Sequence, residues 1–469
     1  MKVNAASKAI PAGVGVAGVV ALLLWIAVEP QQAKVGLRLP GEDNEGAGLV
    51  SVPVDIKGTF TAGEGKAGDL AGAWPCFRGA NLDNISTEQV GLAREWKAGG
   101  PAKLWSVEVG EGYAGPVIYK GRVYLLDYDQ KAKGDVLRCL SLSDGKEIWK
   151  RFYGIDIGRN HGITRTVPAV NEKYVVTLGP KCQVLCADAT SGDFKWGLDL
   201  VREYKTVVPM WYAGQCPLID GERVILAPGG TALLMAVELE TGKVVWQTPN
   251  PRQWKMTHTS VTPMVFKGKR TYVYAASGGV VGVSAEDGKV LWETAEWKVP
   301  MANVPTPVPV GEDRVFLSGG YGAGSMMIQL KESAGRVVVE TVYRLKAGVF
   351  GAEQHSPVLY KGFLYGLLPP TGRLVCLDLA GKQKWMSGAK ERFGLGPFMV
   401  AEGMLIVLDE KGTLVLAEAT EGGYKKLASA KVIEEAHEAW GPMALAGGRL
   451  MVRDLTRLVC LDLRKVANE

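Results

Sequence analysis

The 469-residue sequence has only four histidines, no two adjacent cysteines and a small net charge of +5. Each shortage closes a route. No basic tract is interleaved with aromatics, which argues against a nucleic-acid binder. The seven cysteines follow no zinc spacing, and no C-x-x-C-H haem site occurs. Nucleophile-elbow, P-loop and zinc-protease helix motifs are also missing. One stretch lacks charge altogether: Ala9 to Val28 is apolar throughout and is preceded by Lys2 and Lys8. At ~1.5 Å per residue, roughly twenty residues span a bilayer's hydrocarbon layer, and exceed the ~7–15-residue core of a cleaved signal. The expectation is one N-terminal transmembrane helix within residues 1–29, with the lysines holding its start in the cytoplasm and the rest of the chain outside. Secretion after signal cleavage is the alternative. Residues 30–73, rich in Gly, Glu, Asp and Lys, read as a flexible tether with a weak strand signal at Leu49 to Ile56.

What the chain has in quantity is glycine, 60 residues, and a repeated phrase that uses it. Ala236 to Trp246 reads A-V-E-L-E-T-G-K-V-V-W: an alternating strand, a turn closed by Gly242, and a second run ending in Trp. Near copies end at Trp149, Trp196, Trp292 and Trp385, and Trp105 falls in phase with them. The steps from Trp105 are 44, 47, 50, 46 and 93 residues, the last being two periods with one Trp missing. A period of this length means one supersecondary unit repeated. Prolines that open apolar strands count the units: Pro116, Pro168, Pro217, Pro263, Pro307, Pro357, Pro397 and Pro442 make eight. Each unit reads as four short antiparallel strands, so residues 74–469 are expected to form an all-β, eight-bladed β-propeller. The eighth unit runs out of chain after Leu463. The isolated strand around Leu104 to Val109 is therefore expected to complete it and close the ring.

The repeated acidic, Gly and Trp residues have turn and packing roles, Trp being wedged between blades. Cys139, Cys186, Cys376 and Cys460 fall at equivalent third-strand positions and read as small buried apolar residues. Cys182 and Cys186, if in one strand, would lie about 13 Å apart, beyond disulfide reach. Cys76 and Cys216 receive no role from the sequence.

The polar signal is the placement of the histidines. His161, His258, His355 and His437 precede the prolines of units two, four, six and eight, in loops that enter innermost strands on one face. Arg165, Met210, Trp211, Tyr212, Trp254, Glu353, Phe393 and Trp440 share such loops. The candidate ligand-binding funnel is His161, Arg165, Trp211, His258, Glu353, His355, His437 and Trp440. The plainer alternative is that these side chains pack and cap the loops. One metal held by all four histidines is not expected, because Zn–N bonds are about 2.0–2.1 Å and the four come from opposite sides of a ring.

The phrases C-L-S-L-S-D-G-K-E-I-W, A-V-E-L-E-T-G-K-V-V-W and C-L-D-L-A-G-K-Q-K-W resemble the repeat of the quinoprotein alcohol dehydrogenase-like, or PQQ-repeat, β-propellers, over about Trp74 to Leu463. The opening W-P-C-F-R-G-A-N-L-D-N is similar to that of bacterial exported propellers. The resemblance implies a propeller in the periplasm, on the bacterial inner membrane if the first helix is retained. It also implies one of two roles: pyrroloquinoline-quinone (PQQ) dehydrogenase, or a member without cofactor such as the BamB-like proteins. The dehydrogenases carry adjacent bridged cysteines, a Trp floor, and Glu, Asn and Asp for Ca²⁺ and base catalysis. Here Trp211, Trp254 or Trp440 could supply a floor, while Asn160, Asn303 and Glu353 stand isolated. No catalytic, metal or cofactor residue is therefore assigned. The expected function is a non-catalytic binding or scaffolding module for a protein or envelope ligand. The alternatives are a PQQ- and Ca²⁺-dependent dehydrogenase with a divergent site, or a carbohydrate or small-molecule binder.

Overall fold

The structure is a computed structural model and describes residues 53–465. Eight sheets follow one another along the chain, seven built on four antiparallel strands connected in sequence and the eighth on three such strands and one from the N-terminal region. Their first strands start at or beside the eight prolines, from Val117–Tyr119 in blade 1 to Ala444–Ala446 in blade 8. First strands of neighbouring blades touch at most junctions, including that of blades 8 and 1, so the ring closes. Ala102–Glu108 pairs antiparallel with Arg457–Asp462, setting Trp105 opposite Cys460 and Ser106 opposite Val459. The front of the polypeptide thus supplies the outer strand that the tail lacks, as the sequence indicates.

Burial explains the apolar pattern. Second and third strands are sandwiched between neighbouring blades and are buried on both faces, as in Ala232–Glu238. Fourth strands face solvent and alternate, so that in Val244–Pro249 only Trp246 and Thr248 point inward. Each repeat Trp lies opposite a small third-strand residue: Cys139, Cys186, Ala236, Gly282, Cys376 or Cys460. That is why cysteine recurs there, and all seven cysteines are free. The indole then crosses to the next blade. Trp105, Trp149, Trp196, Trp246 and Trp385 donate Nε1–H to backbone oxygens of Leu142, Thr190, Leu239, Ala285 and Thr420. The turn glycine of that next blade lies flat on the ring. A Cβ on Gly242, whose φ is +73°, would stand 2.6 Å from the Trp196 indole. Tyr343 occupies the missing Trp position in blade 5, opposite Met327 and under Gly381. Blade 7 has Ala428 there.

Two parts of the N-terminal region depart from the expected tether and simple blade start. Within 30–73, Thr59–Ala62 pairs with the outer strand of blade 1, placing Ala62 opposite Trp149. This portion is therefore held to the propeller and covers a sheet edge. The rest of the tether to residue 52, the anchor within 1–29 and the first half of the Leu49 to Ile56 strand signal lie outside the described residues, and the described half, 53–56, forms no strand. Among the described residues no helix is long and apolar enough to cross a membrane.

The second departure is a strap across the central channel. Trp74 exchanges backbone hydrogen bonds with Ile118 of blade 1, Pro75 O accepts from Val170 N of blade 2, and Arg78 Nη2 donates to Pro357 O of blade 6 at 3.0 Å. Ile85–Ser86 then runs parallel to the first strand of blade 7. The W-P-C-F-R-G phrase is this strap.

Candidate functional site: an axial funnel

The chain before each first strand must turn from the rim to the axis, and its buried amides need partners. Four side chains supply them in a belt. Val167 N donates to Cys216 Sγ, Cys216 N to Ser260 Oγ, Ser260 N to Thr306 Oγ1 and Thr306 N to Ser356 Oγ, at 2.8–3.2 Å. Cys216 is thus one more acceptor in a row otherwise made of Ser and Thr. Cys76 lies in the strap, its thiol 3.1 Å from Gly79 O.

Over this belt the entry loops of all eight blades line one cavity of about 270 Å³. Seven candidate residues meet there: His161, Arg165, Trp211, His258, Glu353, His355 and Trp440. The exception is His437, which is exposed and outside the lining, with its backbone oxygen accepting from Leu455 N at 2.9 Å. Trp254 and Phe393 are buried away from the cavity, and Met210 is exposed outside it. Tyr212 is buried with its hydroxyl on Gly158 O at 2.7 Å.

Lining residues that the sequence reading missed include Tyr113, Tyr321, Gln354 and Phe77. Tyr113 stands three residues before Pro116, so the same proline rule would have found it. Tyr321 comes from the turn after the second strand of blade 5, a loop class the proline rule does not reach. Phe77 belongs to the strap and lines both the funnel and the small void behind it, so the strap forms the floor.

Aromatic contacts tie the wall across blades. Trp211 stacks on Tyr321 at 6.1 Å and 15°, and lies 6.4 Å from His258. Tyr113 packs against Trp440 at 5.2 Å and hydrogen-bonds Glu438. The Arg165 guanidinium sits 5.5 Å from the Tyr113 ring and donates three terminal N–H groups to the oxygens of Asn160, His161 and Ile163. Burial lowers Arg165 to about 10, which leaves it a cation at neutral pH.

The two inner imidazoles are neutral. Burial, with the Arg165 charge adding to it, lowers His258 to about 3, and burial lowers His355 to about 4. Interaction with the backbone of Tyr212 opposes the shift of His258, and that of Leu395 and Trp440 opposes the shift of His355. Nε2 of both is buried with no protein partner. Each Nε2 has almost no accessible surface, so neither faces the open space of the cavity. Burial also raises the Glu353 carboxyl, partly offset by the Tyr321 amide. Among the described residues no group of three or more His, Cys, Asp or Glu side chains could hold a metal.

Eight closed blades around an axial funnel define a β-propeller with one candidate site on its axis. The family described as outer membrane protein assembly factor BamB matches residues 132–380, and the chain belongs to this PQQ-repeat β-propeller family. Among solved structures it is similar to BamB from Moraxella catarrhalis, at 12% identity and TM-score 0.51 over 77% of this chain and 100% of that one. It is also similar to the quinohemoprotein alcohol dehydrogenase ADHIIG from Pseudomonas putida HK5, at 12% identity and TM-score 0.55 over 85% and 81%. A third similar structure is the computationally designed Ika8 protein, at 10% identity and TM-score 0.51 over 77% and 100%. No curated protein sequence matches. At these identities the likenesses concern the fold.

Proposed function

We propose that the chain is a non-catalytic extracytoplasmic binding module, anchored through residues 9–28, whose ligand enters the axial funnel. The observation that carries this reading is the funnel itself. All eight blades contribute to its wall, the strap closes its floor, and Tyr113, Trp211, Tyr321 and Trp440 give it an aromatic lining. A concave, aromatic-lined pocket with a few polar groups is where a ligand is expected to bind. The likeness to a protein named as an assembly factor supports a binding role in general.

The residues present do not fit PQQ with Ca²⁺. Glu353 is the one carboxylate of the lining, and no two cysteines are adjacent in sequence. Ca²⁺ takes six to eight oxygen ligands, with carboxylates prominent among them. The test has two arms. The purified protein is incubated with PQQ and Ca²⁺, and stoichiometric quinone absorbance with dye-linked turnover would overturn the non-catalytic reading. Trp211→Ala with Trp440→Ala is then expected to leave the circular dichroism spectrum intact and abolish capture of envelope material. Capture unchanged by both substitutions would move the site elsewhere.

A further inference from the structure

We propose that the funnel takes a short zwitterionic peptide of two or three residues, its carboxylate on Arg165, its ammonium on Glu353 and its backbone across Trp211 and Tyr321. The inference rests on the funnel reading above and narrows its ligand. Arg165 and Glu353 are the one arginine and the one carboxylate of the lining. Arg165 stands before Pro168, which opens blade 2, and Glu353 before Pro357, which opens blade 6. Four blades apart in a closed ring of eight, the two entry loops face each other across the axis. The funnel therefore has a positive side and a negative side. Neither residue forms a salt bridge among the described residues.

Both charges keep room for a partner. The Arg165 guanidinium has five N–H groups and gives three to backbone oxygens, which leaves Nε–H and one N–H of Nη1. Nε has no acceptor and is not sealed from solvent. The Glu438 carboxylate acts on this guanidinium through space but is itself bonded by the Tyr113 hydroxyl. Glu353 is partly buried, and its carboxyl is raised because burial strips its hydration, a loss that an ammonium would offset. Tyr321 is within reach of both: beyond its burial, the Glu353 charge raises its phenol and the Arg165 charge lowers it. Its ring stacks on Trp211 at 6.1 Å, a flat surface for a peptide plane. Gln354, whose side chain has no partner among the described residues, lines the same wall and can bond an amide. A lone anion would leave Glu353 unpaired, a lone cation would leave Arg165 unpaired, and a neutral ligand would leave both. A molecule with one charge of each sign at its two ends pairs both. The cavity, about 270 Å³, lies near the lower end of the ~300–1,000 Å³ range of small-molecule pockets, which suits a di- or tripeptide and not a folded partner.

The full chain is titrated calorimetrically with Ala-Ala, Ala-Leu, Ala-Phe and Ala-Ala-Ala, each also in its N-acetyl, C-amide and doubly blocked form. The expected result is saturable binding of at least one free peptide, weakened about tenfold or more by either block, the worth of one charge-assisted hydrogen bond. Two variants assign the ends. Glu353→Gln should erase the preference for a free over an acetylated amino terminus and keep the preference for a free over an amidated carboxyl terminus. Arg165→Gln should do the reverse. A purely structural role for either residue would weaken all four forms alike. Because Arg165 also bonds three backbone oxygens, thermal melting is followed in parallel, and Arg165→Lys, which keeps the charge, should retain the carboxylate preference. Trp211→Ala should lose peptide binding with an unchanged melting profile. Equal binding of free and blocked peptides, end preferences that survive both charge variants, or silence of the whole panel would overturn the peptide assignment and leave the funnel reading standing. An N-acetyl form that binds as tightly as the free peptide would overturn it too, since the ligand would then be a simple anion. Capture of envelope material undiminished by Trp211→Ala with Trp440→Ala would bring down the funnel reading as well.

Discussion

Acid exposes the state of His258. An unfolded histidine titrates near 6.5, whereas the folded chain holds His258 at about 3, because burial and then the Arg165 charge disfavour the imidazolium. At pH 7 both states are largely neutral. Below 6.5 the unfolded chain takes up a proton that the folded chain refuses. Stability is therefore lost as pH falls, by about 1.4 kcal/mol per pH unit, until the folded value is reached. Integrated from pH 7 to pH 5, this single group costs about 2 kcal/mol. The whole-protein curve will not show this directly. Burial raises Asp135 to about 7, partly opposed by its 2.5 Å bond from Tyr153, and so contributes a slope of the opposite sign over that interval. The clean quantity is the difference between wild type and His258→Gln, since Asp135, His355 and the other groups are common to both. Urea denaturation at pH 7, 6 and 5 should show wild type losing about 2 kcal/mol more than the variant. Parallel curves would mean that the imidazole is not buried in its neutral form.

Other outcomes follow from the same packing. Arg453, fully buried, donates to the oxygens of Gly110, Ala114, Asp454 and Leu455 where blade 8 meets blade 1. Arg453→Met strands those acceptors and should cost about 3 kcal/mol or more in urea denaturation, and a loss under 1 would refute the bridging role. Gly242→Ala must hold a positive φ and push into the Trp196 ring, so a loss of about 2 kcal/mol is expected by the same assay. Burial pushes the thiols of Cys76, Cys139, Cys186 and Cys460 to about 12, and those of Cys216 and Cys376 to about 11. Cys182 is raised as well. Ellman's reagent at pH 8 should leave the native chain unreacted and find seven thiols in guanidinium, and a rapid native reaction would contradict the burial.

The blade count was legible because two signals repeat for physical reasons. Proline begins a first strand without needing to donate, and Gly with Trp forms the contact that joins a blade to the next. Ring closure was legible because the tail stops short of a fourth strand. Tyr343 was hidden, since a Tyr doing the packing of a Trp breaks the pattern without breaking the geometry. Histidines marked the funnel because they are scarce, yet scarcity says nothing of orientation. His437 obeys the proline rule and still points away, while Tyr321 breaks the rule and stacks on Trp211. The strap was illegible for a different reason. Its strand, Ile85–Ser86, has two residues, too few to carry periodicity, and its partners are hundreds of residues away.

The strap also explains why the funnel is uneven. Belt positions before the first strands of blades 3 to 6 carry Cys216, Ser260, Thr306 and Ser356, whose short side chains stitch neighbours together. Before the prolines of blades 7, 8 and 1 stand Gly396, Gly441 and Gly115, which have no side chain to offer. There the backbone is crowded instead: a Cβ on Gly441 would meet the Arg453 side chain at 2.5 Å, and one on Gly115 the Pro442 oxygen at 2.6 Å. Arg453 reaches Gly110 and Ala114 of the blade 1 entry, and Asn84 of the strap bonds Phe398 of blade 7. An arginine and an N-terminal segment therefore do for three blades what hydroxyls and a thiol do for the others. With both occupied in holding the ring, the groups left facing the cavity are those of the entry loops above, where His258 and His355 lie. Removing the strap would open the funnel floor and unpin blades 1, 2, 6 and 7 together, so the shape of the funnel and the stability of the ring are coupled through residues 74–86.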